Sequence, residues 1–280
     1  MGAVHARYYT DPASAWSWAV EPHLRRLEAQ LGDQLRVEYV MAGIRELRPP
    51  AEEARAWLEA AASTGMPVDV RLWLEGGPTT SYPACLAVKA AAEQGDPSRF
   101  LRALREGFAF RRRRLDHAEA FESVARELGG LDLDRLRIDM GSHAIVEAFG
   151  ADLERAREVG EEHHAAGLGR VAIPAVEFCP ADPSAATRPG GGRVVVAAVY
   201  GPAGYEAYRD AAVAAGAEVD GGPAPTVEEA LRRYGTMATV EVAAVCELPV
   251  PRAAAELWQA AGEWRVRVER TLGGEVWSLA

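Results

Sequence analysis

Apolar positions along this chain change their period several times. From His5 to Thr10 they alternate, with Tyr8 and Tyr9 near the end. That pattern predicts a short strand, broken by Asp11-Pro12. Val20, Leu24, Leu27 and Leu31 then recur four, three and four residues apart, which predicts a helix running to Leu31 and stopped by Gly32. Leu35 to Met41 alternates again and reads as a second strand. The opening is therefore β-α-β, with its two strands expected as parallel neighbours. From Pro49 to about Gly167 the spacing is helical. Leu101, Leu104 and Phe108 share one face of a helix over Ser98 to Phe110, and Pro83 suits the first residue of a helix to Gln94. Asp116 with Glu119 predicts a capping box ahead of Phe121, Val124 and Leu128.

At Val171 the pattern turns strand-like again, to Phe178, although Pro174 deletes a ladder donor within it. A loop rich in Pro, Ala and Gly (Pro180 to Gly192) precedes an apolar strand, Arg193 to Tyr200, and a helix, Gly204 to Gly216. After a Gly/Pro linker, Gly221 to Pro225, come helical segments at Thr226 to Tyr234, Thr239 to Cys246 and Arg252 to Ala261. Trp264 to Leu279 reads as a hairpin with Gly273-Gly274 at its turn. Three helices followed by a hairpin is the order of a winged helix. The expected organisation is an α/β domain formed by residues 1–48 and 168–220, a helical insertion at 49–167, and a small C-terminal winged-helix-like domain at 224–280.

The chain's 280 residues, 49% of them hydrophobic, suffice for a large core. A net charge of -10 repels phosphate backbones and argues against broad nucleic-acid binding. The C-terminal section agrees: eight glutamates there outnumber six arginines, and Pro251 to Gly262 offers one arginine and one glutamate. Packing, dimerisation or a protein partner suits that section better, and a homodimer stays open. No apolar run reaches the roughly 18 residues a membrane helix needs, and the first residues lack a secretory pattern, so a cytoplasmic location is expected. Cys85, Cys179 and Cys246 form no C-x-x-C pair and, with the histidines, no zinc spacing; no metal is expected. The adjacent His163 and His164 read as surface residues rather than ligands.

Tyr8 to Leu27 (YYTDPASAWSWAVEPHLRRL) resembles the active-site segment of DsbA-family proteins in the SpxH/FrnE-like branch, D-P-x-C-x-W-C/S-W-x-x-E-P. Asp11, Pro12, Trp16, Trp18, Glu21 and Pro22 match. Ser81 to Ala92 (SYPACLAVKAAA) is similar to a stretch of that branch's helical insertion, and Ile173-Pro174 falls where the family has its cis-proline. The resemblance covers roughly residues 5 to 216. It implies a thioredoxin fold with a DsbA-like helical insertion, and it places Ser14 and Ser17 where the family keeps its two redox cysteines. A cysteine at a helix N-terminus ionises; a serine there does not, and it forms no disulfide.

The candidate site residues follow from this. Ser14 and Ser17 either do chemistry, as serines do in kappa-class glutathione transferases and 2-hydroxychromene-2-carboxylate isomerases of this fold, or Ser14 is a plain helix cap. Neither has a visible base, and no G-x-S-x-G elbow is present. Trp16 is expected to be exposed beside a ligand cleft, and Trp18 to be core. Ile173 before Pro174 can offer its backbone to a peptide or to glutathione. The resemblance sets Thr80 and Ser81 across the cleft; otherwise Ser81 caps the helix at Pro83. Cys85 reads as a buried small hydrophobe. The run Arg111 to Arg114 either meets an acidic partner or is a solvated helix end. Three readings of function stand: a redox-inactive adaptor that binds a peptide, protein or small thiol near Pro174; a glutathione-dependent isomerase or transferase using Ser14; and an oxidoreductase using Cys85 or Cys179. Glutathione is the one cofactor any of them invokes.

Overall fold

A computed structural model of the chain describes residues 4–180, 194–219 and 222–280. Strand β1 (Val4–Thr10) leads into two short helices, α1 (Ala15–Ala19) and α2 (Glu21–Leu31), and then β2 (Leu35–Met41). One continuous helix to Leu31 was expected; Pro22 divides it. Proline has no N–H to return to the Trp18 carbonyl, so the helix ends at Ala19 and a new one begins at Glu21, with Pro22 in its first turn where no N–H is needed. Strands β1 and β2 are parallel, in the register Val4 to Leu35 through Thr10 to Met41.

Seven helices follow: α3 (Pro50–Thr64), α4 (Arg71–Leu74), α5 (Tyr82–Ala92), α6 (Ser98–Ala109), α7 (Ala118–Leu128), α8 (Leu133–Met140) and α9 (His143–Glu158). Their shared core stacks Trp73 between Trp57 and Phe108, with ring centroids 5.6 and 5.9 Å apart. The Asp116 capping box does not form. His117 takes the cap position, and the Asp116 carboxylate is engaged instead by Arg114 and His117.

The chain returns to the sheet with β3 (Ala175–Pro180) and β4 (Ala197–Tyr200), then α10 (Tyr205–Ala214). Pro174 keeps β3 from starting at Val171. The sheet order is β2-β1-β3-β4, with β3 antiparallel to both neighbours. The loop read over Pro180 to Gly192, the start of the strand read at Arg193, and Gly221 of the linker lie outside the described residues, Pro180 excepted. The last section contains α11 (Val227–Tyr234), β5 (Met237–Ala238), α12 (Thr239–Val245), α13 (Val250–Gly262), β6 (Val266–Thr271) and β7 (Gly274–Leu279). Thr226 and Glu229 close a reciprocal capping box on α11. The two-residue β5, invisible to periodicity, pairs with β7 and completes a three-stranded sheet.

These three parts meet on buried charge. Glu21 opens α2 and takes Arg105, Arg102 (3.3 Å) and Arg25 (3.5 Å). Arg102 also forms a two-pronged pair with Glu241 of α12, both contacts 2.8 Å, and Arg25 reaches Glu241 at 3.2 Å. Glu106 binds Arg102 and Arg111, and Arg111 continues to Glu269 on the hairpin. Arg102 stacks over Trp18 at 4.2 Å. Glu241 is fully buried, and its second role is to accept the Ala238 N–H at 2.7 Å, capping α12.

Removing one member of such a set strands the others in a low-dielectric place. Arg102→Met leaves Glu241 and Glu21 short of a cation and is expected to lower stability by about 3–5 kcal/mol, read from urea unfolding. Glu21 adds a pH dependence. Burial alone would raise its carboxyl, but Arg105, Arg102 and Arg25 outweigh burial and hold it below its ordinary value. A depressed carboxyl stabilises the fold above its unfolded pKa, and that contribution disappears as pH falls through the lower folded value. The stability gap between wild type and Glu21→Gln is therefore expected to be wide at neutral pH and to close in acid; a gap that stays constant contradicts this.

Candidate functional site

The end of β1, the start of α1 and the entry to β3 come together because Tyr9 pairs with Ala175. Residues leaving β1 and residues entering β3 thus emerge at one end of the sheet. Asp11 organises the exit. It is fully buried; Oδ1 accepts the Ala13 N–H at 2.7 Å, and Oδ2 accepts the Ser81 hydroxyl at 2.5 Å. The Cys85 thiol points at the same Oδ2 from 3.4 Å. Burial raises the Asp11 carboxyl, with Ser81, Ala13, Cys85 and the nearby Arg170 acting against it. Burial, and then Asp11, push the Cys85 thiol well above its ordinary value.

Ser14 caps α1. Its Oγ accepts the Ser17 N–H at 3.1 Å and its own N–H donates to the Asp11 carbonyl at 3.2 Å. It is 6% exposed. Ser17 is fully buried beside the Tyr8 phenol. Trp18 is core and donates its indole N–H to the Pro67 carbonyl at 3.0 Å. Trp16, expected in the open, is only partly exposed and packs against the core of the helical insertion.

The Ile173–Pro174 peptide is cis. The Pro174 carbonyl accepts the Gly201 N–H at 2.9 Å, and Val171 and Ala172 donate to Ala156 and His163. Ile173 is half-buried, and among the described residues its N–H and C=O have no hydrogen-bond partner. Both of its main-chain groups are open, whereas Val171, Ala172 and Pro174 on either side each use at least one.

Thr80 and Ser81 are brought to Asp11 but are committed. Thr80 Oγ1 donates to the Ile44 carbonyl at 3.1 Å, and Ser81 Oγ accepts the Ile44 N–H at 2.8 Å. Ser81 therefore does not cap α5; its hydroxyl holds the helical insertion to Asp11. Cys85 is buried as expected, but beside a carboxylate rather than among hydrocarbons alone. Arg170, which no pattern singled out, faces Asp11, Cys85 and Tyr82. Asp11 read as a strand breaker and a matched position of the family segment; neither pointed to its Asx turn with Ala13.

Neither of the other cysteines comes near. Cys179 lies opposite His5, at the far end of β3 from Pro174, and Cys246 ends α12. All three are buried. The paired histidines are not free surface residues: His163 stacks on Tyr200 at 3.8 Å, and His164 Nε2 contacts the Val159 carbonyl at 2.8 Å. No group of His, Cys, Asp or Glu among the described residues could hold a metal ion. No helix there is long and apolar enough to cross a membrane. In the arginine run, Arg111, Arg113 and Arg114 are paired with acids of this chain, and Arg112 lies 3.7 Å from Asp69.

Comparison with known proteins agrees with this architecture. The chain is 30% identical over 164 residues to the ClpXP adapter protein SpxH of Halalkalibacterium halodurans, covering 54% of this chain and 53% of that protein. It is 28% identical over 162 residues to the ClpXP adapter protein SpxH of Shouchella clausii, covering 54% and 52%. The match thus spans about half the length of these curated relatives. A putative protein disulfide isomerase from Nitrosomonas europaea superposes with a TM-score of 0.57 at 20% identity, over 75% of this chain and 95% of that one. A probable DsbA oxidoreductase from Streptomyces coelicolor does so with a TM-score of 0.53 at 16% identity, over 76% and 89%. A family model described as thioredoxin matches residues 8–165, and with the β-α-β opening, helical insertion and returning β-β-α in place, the chain belongs to that DsbA-like thioredoxin family.

Proposed function

We propose that this chain is a redox-inactive binding protein of the DsbA-like type, an adaptor that engages a protein partner by its main chain at Ile173. The observation that carries the reading is the state of the site. Ser14 is spent on capping α1, and the resemblance of the Asp11 to Pro22 segment to DsbA-family active sites would set Ser14 and Ser17 at the positions of the redox cysteines. The thiol closest to them, on Cys85, is buried and held protonated beside Asp11. What remains available is the unpaired backbone of Ile173, the kind of group that recognises an extended peptide. Relatives named as ClpXP adapters support a role in presenting a partner to a protease, in the cytoplasm.

The last section has the order of a winged helix. We read it as a packing module, because its Glu241 and Glu269 are engaged with arginines of the helical insertion rather than left to face a ligand. Nucleic acid forms no part of this proposal. Glutathione does not either, since the Ser14 hydroxyl oxygen is already committed to the Ser17 N–H.

The reading is tested on the folded chain. Calorimetric titration with reduced glutathione is expected to be silent, and insulin disulfides are expected to be reduced no faster than in the blank. Heat on titration would favour a glutathione enzyme, and insulin reduction by the wild type would restore an oxidoreductase. The double variant Ser14→Cys/Ser17→Cys is expected to gain insulin reductase activity, because the N-terminus of α1 stabilises a thiolate. Either single variant is expected to gain far less. A folded double variant with no activity would mean that these positions do not correspond to the family's redox pair.

A further inference from the structure

The edge of the sheet at β2 is open for part of its length. Main-chain groups alternate in direction along a strand, and two hydrogen bonds fix the phase here. Ala42 N–H donates inward to the Thr10 carbonyl, at the end of β1. Met41 N–H points the other way and donates to Asp152 of α9 at 3.0 Å. Odd-numbered residues of β2 therefore present their N–H and C=O outward, and Asp152 covers only the Met41 end. The Leu35 N–H is used by the Gly32 carbonyl in the preceding turn. The Leu35 carbonyl and both groups of Val37 and of Tyr39 have no hydrogen-bond partner among the described residues. That leaves about 13 Å of edge without a main-chain partner among the described residues.

This stretch does not face open solvent. It lines a cavity of about 940 Å³, walled by α2, the start of α6 and the turn Arg233 to Thr236. The walls mix apolar surface (Leu24, Leu101) with charge. Several of the charges are already used. Glu127 is held by Arg113, whereas Asp96 accepts from Ser98 through both oxygens and keeps its negative charge. Arg36 and Arg99 are exposed and have no acid partner among the described residues. Burial, and then Glu21, push the Glu28 carboxyl up to about 7, so it offsets those two arginines only in part at neutral pH. The unpaired β2 edge thus borders a cavity with apolar walls, in which Arg36, Arg99 and Arg233, without acid partners among the described residues, outnumber Asp96 and the partly protonated Glu28.

We propose that this cavity is a strand-addition site, in which an extended peptide segment of a partner protein, with acidic and apolar side chains alternating, joins β2 as a fifth strand. Main-chain bonds to Val37 and Tyr39 would supply affinity, and Arg36 and Arg99 would select for acid. The Ile173 position feeds β3, on the other side of β1, so this site does not rest on the reading of that cleft.

The test uses the full chain and an acetylated, amidated eight-residue peptide alternating valine and glutamate. Its expected result is saturable binding, with amide hydrogen exchange slowed at Val37 and Tyr39. A valine–lysine counterpart and a glutamate peptide N-methylated at alternate residues are expected not to bind. Val37→Pro removes one outward N–H from an edge, where proline is tolerated, and is expected to weaken binding by about tenfold. Arg36→Glu/Arg99→Glu is expected to abolish it. Should Val37→Pro fail to fold, the N-methylated peptide and the exchange measurement on the wild type still decide. No binding at millimolar peptide overturns the proposal, as does binding that protects neither amide or that the lysine peptide matches.

Discussion

The structure depends on a cluster of charges that should not, by itself, be buried. Glu21, Arg25, Arg102, Arg105, Glu106 and Glu241 are each less than a tenth exposed, and they come from the β-α-β opening, the helical insertion and the last section. Taking ions out of water costs several kcal/mol apiece, so each must find its complement in place. The complement exists only when all three parts are docked: Arg102 cannot satisfy Glu241 unless α6 and α12 are both present, and Glu21 cannot hold Arg105 unless α2 lies against α6. Such a network is a weak source of net stability compared with hydrocarbon packing, but it penalises wrong arrangements heavily. Its effect is to fix where the insertion and the last section sit on the sheet.

That constraint changes the meaning of the motif that marks the family. In the segment D-P-x-S-x-W-S-W-x-x-E-P, the two serines are the least consequential letters for the architecture. Asp11 ties the end of β1 to Ser81 of the insertion, Trp18 donates to Pro67, Glu21 anchors the charge cluster, and Pro22 sets the break between α1 and α2. The scaffold holds with serine at positions 14 and 17, and with it go open backbone positions at Ile173 and along β2.

The sheet, its parallel opening pair, the helical block and the closing hairpin were legible because each rests on local periodicity. Elements decided by pairing between distant segments were not. The two-residue β5 exists only because β7 lies beside it, and β3 starts late because Pro174 interrupts an apolar run that otherwise reads as strand. The site was half legible. Ser14 as a helix cap follows from its own residue type. Asp11, Arg170 and the role of Ser81 do not, since they gain their function from contacts 70 and more residues away. Trp16 misled in the same way: a loop position suggested exposure, but the ring packs against the core shared with the insertion and is only partly exposed.

The proposed function requires that no sulfur be available at the site formed by Ser14, Ile173 and Pro174. Native-state thiol labelling with a fast disulfide reagent at neutral pH tests it most directly. Cys85, Cys179 and Cys246 are all expected to stay unreactive until the protein is unfolded, and then to label together. Rapid labelling of any one of them in the folded chain, and of Cys85 above all, would contradict it.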